Sequence, residues 1–156
     1  MTVVLRAATA ADAAAVLAMV QALARHEGES EQVRMTEAGL SDALANGHVN
    51  ALLAMEDDQP LAMALWFFNF SSWTGRRGLF IEDLFVAPAA RGSGLGLRLF
   101  RTLAGMAASE GCARLEWNVL SGNGTAKGFY QRLGAHHATG WETWRLEGPA
   151  LTALAG

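Results

Sequence analysis

The sequence is poor in cysteine, in proline and in charge, and each shortage excludes something. Its single cysteine, Cys112, rules out an internal disulfide framework and a Cys-rich metal site, and points to the reducing cytoplasm. The four histidines, His26, His48, His136 and His137, lack ligand spacing with other donors, so no metal is expected. The three prolines build no linker, and no repeat or low-complexity tract interrupts the chain, so one domain spanning residues 1–156 is expected. No uninterrupted apolar run reaches the roughly 18 residues that a membrane helix needs. The first residues carry Arg6 and Asp12 among their apolar neighbours, with no basic region ahead, and do not read as a signal peptide. A cytoplasmic, membrane-free protein is the expectation.

Charged residues make up only 17% of the chain, with a net charge of −3 and no block of one sign. Nucleic acid, which needs a concentrated basic face, is therefore a poor candidate partner. A weakly acidic surface better suits a cationic small molecule.

What is present is apolar: 51% of 156 residues, enough for a substantial core. Val3 to Arg6 reads as a strand, and Thr9 with Asp12 as a capping-box variant opening a helix to about Arg25. Thr36 caps a second helix that Gly47 ends. The apolar runs 49–56 and 61–70, joined by Asp57-Asp58-Gln59-Pro60, form a hairpin. A loop holding Trp73, Gly75 and Gly78 precedes a strand from Leu79 to Val86, and a long helix follows from Leu95 to Glu110. Arg114 to Val119 is a further strand, Thr125 to Leu133 a short helix, and residues 141–146 a last strand. The order β-α-α-β-β-β-α-β-α-β is a mixed α/β architecture, helices flanking one sheet.

The most informative segment follows the strand Ile81–Val86. Arg91-Gly92-Ser93-Gly94-Leu95-Gly96-Leu97 places glycines at alternate positions where a helix begins. Glycines let bare N–H groups approach a ligand, and the helix start adds unpaired donors and partial positive charge. Arg91 supplies a cation fit for phosphate oxygens. A pyrophosphate is the natural ligand. The dinucleotide pattern fails because Leu97 stands where its third glycine would fall, and the nucleotide-triphosphate loop fails for lack of Gly-Lys-Ser/Thr.

Arg-Gly-Ser-Gly-Leu-Gly instead resembles the coenzyme A motif of the GNAT acetyltransferases, and the resemblance extends along nearly the whole chain. Residues 6–12, Leu23–Glu27, Glu31–Val33, Ser72–Gly75, Ile81–Val86, Gly128–Ala135 and Gly140–Trp144 follow in the family's order. Glu82-Asp83, the Trp73 loop and Glu27 are similar to the diamine and thialysine N-epsilon-acetyltransferase branch. Two departures stand out. Gly122-Asn123 replaces the family's Trp-Asn, although Asn123 keeps the spacing to Tyr130. Ser71 stands where polyamine-type members tend to be acidic, which leans toward thialysine or another amino-acid-like amine.

The resemblance implies an acetyl-CoA-dependent N-acetyltransferase with a central, mostly antiparallel sheet, acting on a small primary amine by direct attack in a ternary complex. Acetyl-CoA is the cosubstrate, and a homodimer is expected. It further implies that Arg91, Gly92, Ser93, Gly94, Leu95, Gly96 and Leu97 bind the pyrophosphate. Leu84, Phe85 and Val86 would present backbone to the thioester or pantetheine. Asn123 either bonds the pantetheine arm or caps the helix after it. The amine must be deprotonated, since a free alkylammonium has a pKa of about 10.4. Glu82, a carboxylate in an apolar strand, is the candidate base, and Tyr130 the candidate acid for the leaving thiolate. Glu27, Trp73, Glu82, Asp83 and Glu142 are candidates for the amine pocket. Strand alternation sends Glu82 and Asp83 to opposite faces, so only one of them should face the acetyl group. A protein or peptide N-acetyltransferase, or a non-catalytic acetyl-CoA-binding module, are the alternatives.

Overall fold

The computed structural model describes residues 2–156. Contacts divide the chain into two compact units, Met1–Asn118 and Val119–Gly156. The first holds β1 (Val3–Ala7), α1 (Ala13–Glu27), α2 (Glu37–Ala45), β2 (Asn50–Glu56), β3 (Gln59–Ser71), β4 (Arg76–Val86), α3 (Leu95–Ser109) and β5 (Leu115–Trp117). The second holds α4 (Gly124–Arg132) and α5 (Gly148–Ala155).

The strands pair in chain order, β1-β2-β3-β4-β5. Every pair is antiparallel except the last, β4 with β5, which the intervening α3 makes parallel. Both faces of this sheet are covered. On one, Ala13, Val16 and Met19 of α1 and Leu40 of α2 pack on Leu53, Met63, Leu65 and Phe85. On the other, Leu95 and Leu99 of α3 pack on Leu52, Ala54 and Ala62. Burial on both sides explains why β2 reads as a continuous apolar run instead of an alternating one. A fully buried leucine such as Leu53 or Leu99 contributes about 1.5–3 kcal/mol.

Helix starts follow the sequence signals closely. The Thr36 hydroxyl accepts from the Gly39 N–H at 3.1 Å. The Asp12 carboxylate accepts from the Thr9 N–H at 2.8 Å, and Arg6 grips it with two bonds of 2.8 and 2.9 Å. Arg6 and the Thr9 N–H together hold the Asp12 carboxyl down at about 2. Because the folded value is depressed, this group stabilises the fold above about pH 4 and ceases to as pH falls through about 2. The capping box itself opens a short 3₁₀ turn, Ala10–Asp12, and α1 follows from it.

Three expectations need correction. Gly78 does not lie in a loop before the strand, because β4 begins at Arg76 and pairs Gly78 with Asn69. A methyl at position 78 would collide with the Asn69 side-chain oxygen, so glycine there answers a neighbour rather than a turn. β5 is only Leu115–Trp117, shorter than residues 114–119. Residues 141–146 form no strand. Their composition suits one, but a strand needs a neighbour for its N–H and C=O groups, and among the described residues no strand of the sheet pairs with them. Helix α5, unforeseen in the pattern, starts just beyond, with Pro149 in its first turn where a missing N–H costs nothing.

Candidate active site

At the end of β4 the chain passes through a 3₁₀ turn, Pro88–Ala90, into the glycine loop. Gly92 and Gly94 have φ of 77° and 83°, the left-handed region that favours glycine. Neither position would meet any neighbouring atom if it bore a methyl group. Backbone conformation and open space, rather than packing, therefore call for glycine at both. Gly94 is the residue from which α3 departs, and the Arg98 N–H reaches back to its carbonyl at 3.0 Å. The N–H groups of the first turn of α3 have no carbonyl within the helix to bond and point out of its start.

Two side chains brace this loop, one against the strand and one against the 3₁₀ turn. The Arg91 Nε donates to the Val86 carbonyl at 3.1 Å, with the guanidinium 5.8 Å from the Phe85 ring centre. The Ser93 hydroxyl donates to the Ala90 carbonyl. Arg91 is thus a cation pinned beside the helix start by one of its five donors, the others being exposed.

The β4–β5 ladder ends at Ile81 paired with Trp117, so residues 82–86 have β3 on one side only. The Ala87 N–H bonds the Leu61 carbonyl at 2.8 Å. By the two-residue alternation of an antiparallel ladder, the N–H groups of Leu84 and Val86 then turn away from β3 toward the open edge. A strip of unpaired donors leads directly to the glycine loop, as an extended ligand with amide groups requires.

Glu82 and Asp83 sit where this edge opens, and a β-bulge separates them. Leu65 pairs with Asp83 and Trp66 with Ile81, which leaves Glu82 without a partner residue. Glu82 is exposed and Asp83 half-buried. Asp83 shares its pairing with Leu65 and alternates with Phe85, both in the core under α1 and α2, so it belongs to that face. Burial first, then the charges of Glu82 and Glu27, push the Asp83 carboxyl up to about 6. Glu27 is the last residue of α1 before the left-handed Gly28. There a carboxylate faces the negative end of the helix dipole, a placement that a bound cation relieves.

Of the amine-pocket candidates, the structure thus brings Glu27, Glu82 and Asp83 together. Trp73 lies in the β3–β4 connection with 84% of its surface exposed. No group of three His, Cys, Asp or Glu side chains among the described residues is arranged to hold a metal ion. A recess of about 100 Å³, lined in part by Leu44, Asn50, Trp66 and Met106, shares no residue with the glycine loop or the carboxylates.

In the second unit, the Asn123 side-chain oxygen accepts from the Ala126 N–H at 3.1 Å and caps α4. The capping alternative is therefore realised, with the Asn123 amide N–H₂ left for other bonds. Tyr130 is half-buried on α4, its ring 5.8 Å from that of Phe129. Leu133, just after α4, is exposed. Glu142 is exposed in a segment without regular structure. The sequence reading missed the bulge at Glu82 and with it the unequal environments of the two acids. The only signal was an acidic pair inside an apolar strand, which does not say which of the two is buried.

A strand that loses its neighbour, turns through glycines and enters a helix offers a cradle for an anionic ligand, and comparison with known proteins gives the family. The acetyltransferase (GNAT) family profile matches residues 16–135, and the chain belongs to that family. It is an N-acetyltransferase. It is 33% identical to a thialysine N-epsilon-acetyltransferase of Sus scrofa, over 99% of this chain and 98% of that one. An L-ornithine N5-acetyltransferase of Arabidopsis thaliana is 37% identical over 58% of this chain and 40% of its own. Among solved structures, an integron cassette protein from the mobile metagenome of V. cholerae superposes with a TM-score of 0.82 at 29% identity. That match covers 99% of this chain and 98% of the other. No helix among the described residues is long and apolar enough to cross a membrane.

Proposed function

We propose that the protein transfers the acetyl group of acetyl-CoA to the side-chain amine of a small amino-acid-like or diamine acceptor. The observation that carries this is the pairing of an anion cradle, Arg91 to Leu97, with a carboxylate cluster, Glu27, Glu82 and Asp83, at the two ends of one open strand edge. The cradle receives the pyrophosphate, and the N–H groups of Leu84 and Val86 receive pantetheine or thioester oxygens. The carboxylates attract an ammonium, with Trp73 and Glu142 as further pocket residues. GNAT acetyltransferases use acetyl-CoA as cosubstrate, and the two amino-acid acetyltransferases among the relatives support an acceptor with a primary amine on a short aliphatic arm.

Attack is direct. Glu82 takes the proton from the ammonium, directly or through water, the free amine attacks the thioester, and Tyr130 protonates the departing thiolate. A single domain over residues 1–156 belongs to the same proposal, and the family profile, which matches residues 16–135, supports it. Thiol release from acetyl-CoA is the test, with thialysine, ornithine, lysine, putrescine, spermidine and an aminoglycoside offered in parallel. Turnover is expected on thialysine or ornithine. Turnover on none of the six would reject the reading.

A homodimer in the cytoplasm is part of the same proposal. The exposure of Trp141 (75%), Trp144 (88%) and Leu154 (77%) in one short C-terminal stretch supports a second copy covering it. Sedimentation at micromolar concentration should return twice the chain mass of 16.6 kDa, and a monomer mass would refute it.

A further inference from the structure

We propose that the recess beside Trp66 binds a small neutral carboxamide, whose carbonyl oxygen accepts the Trp66 indole N–H and whose own N–H donates to the Asn50 side-chain oxygen. The site is separate from acetyl transfer, since none of its lining residues belongs to the glycine loop or the carboxylate cluster.

The strand register places it. Ala62 of β3 and Leu52 of β2 pack with Leu95 and Leu99 on the α3 face of the sheet. Two-residue alternation carries Ala64 and Trp66 to that same face, and Asn50, paired with Trp66, joins them. Met106 in the last turn of α3 and Leu44 in the last turn of α2 also line the recess. Ala62 pairs with Val86 and Trp66 with Ile81, so the site lies ~13 Å along the ladder from the end of β4.

The recess presents apolar walls and two polar points. Trp66 is only 7% exposed, and its indole N–H is buried without a hydrogen-bond partner in the protein. A buried donor left unpaired is costly, so an acceptor brought by a ligand is favoured there. Indole nitrogen only donates, which fixes the ligand's matching atom as an acceptor. The Asn50 amide donates to the Trp66 carbonyl at 3.5 Å, and its oxygen is left to accept from a ligand N–H.

Size and charge narrow the class. No lining residue is charged, so an ion would shed its water without compensation. An apolar cavity of about 150 Å³ admits the six carbons of benzene. A recess of about 100 Å³ therefore takes roughly four non-hydrogen atoms. Acetamide has that size: its oxygen and nitrogen meet the two polar points, and its methyl meets the apolar wall. A free amide and the acetamido end of an N-acetylated amine share this chemistry.

The test is a titration of the full, nitrogen-15-labelled chain with acetamide, read at the indole N–H resonance of Trp66. Trp66→Phe identifies that resonance among the five tryptophans, or sequential assignment does if the variant fails to fold. Even at the highest binding energy per atom, four atoms bind no tighter than roughly tens of micromolar, so a saturable shift with a millimolar Kd is expected. Asn50→Ala should weaken acetamide about three- to tenfold, the worth of one hydrogen bond. Acetate, alike in shape but charged, should leave the resonance in place. Nε-acetyl-lysine separates the sources: a saturable shift at Trp66 assigns the acetamido end of an acetylated amine, and none beside an acetamide shift assigns a free amide. The proposal is overturned if acetate shifts the resonance as acetamide does, or if Asn50→Ala binds acetamide as tightly as the wild type. It is equally overturned if acetamide leaves the resonance in place or moves it without saturating. The N–H would then belong to water or to the Phe68 ring, which stands edge-on to Trp66 at 5.2 Å.

Discussion

Replacing Gly94 by valine should raise the Kd for acetyl-CoA by at least ~100-fold while leaving the protein folded. Position 94 has φ of 83°, where a β-branched residue is strained by ~1–3 kcal/mol. The strain falls on the loop, because α3 is anchored independently by Leu95, Leu99 and Leu103 in the core. A side chain there also intrudes where nothing lies within 4 Å, the space assigned to the phosphates. Each charge-assisted hydrogen bond lost is worth ~1.5–3 kcal/mol, so losing two suffices for the expected drop. Gly96→Ala is the internal control for folding. Gly96 lies inside α3, and its added methyl would meet only the Val86 side chain, at an ordinary 3.9 Å. Any affinity lost at position 96 therefore reports the ligand. Calorimetry that finds Gly94→Val binding acetyl-CoA as the wild type does would remove the cradle from the site.

Tyr130→Phe should lower kcat by ~10²–10⁴-fold, the contribution of a general acid, with acetyl-CoA affinity nearly unchanged. Phenylalanine keeps the ring that packs beside Phe129 and removes one hydroxyl. A packing role alone would therefore cost about 1 kcal/mol of stability and little turnover. The two roles separate on one variant measured by turnover and by thermal midpoint. Near-normal turnover with a lowered midpoint would assign Tyr130 to packing and leave the thiolate to take its proton from water.

Much of this was legible in the residues. The Thr36 and Thr9-Asp12 caps, the apolar hairpin and the glycine loop are local signals, set by dihedral preference and hydrogen bonds within a few residues. They appear in the structure at or near the expected positions. The last strand failed for the opposite reason. Trp141 to Leu146 has the composition of a strand, but pairing is a property of two segments, and no strand among the described residues takes it. Gly78 misled similarly, since glycine reads as a turn until the Asn69 side chain across the ladder is seen.

The acidic pair draws the line most clearly. Sequence alone determined that two adjacent carboxylates interrupt an apolar strand just ahead of a glycine loop at a helix start. It also determined the family, because Arg91 to Leu97 and the segments around it are contiguous in the chain. Only the tertiary structure decided which carboxylate is half-buried and which is exposed. The bulge arises from the register between β3 and β4, and the burial of Asp83 from α1 and α2 packing over one face of the sheet. Proton affinity follows from the dielectric and the charges around a group, and Glu27, more than fifty residues away along the chain, is one of those charges.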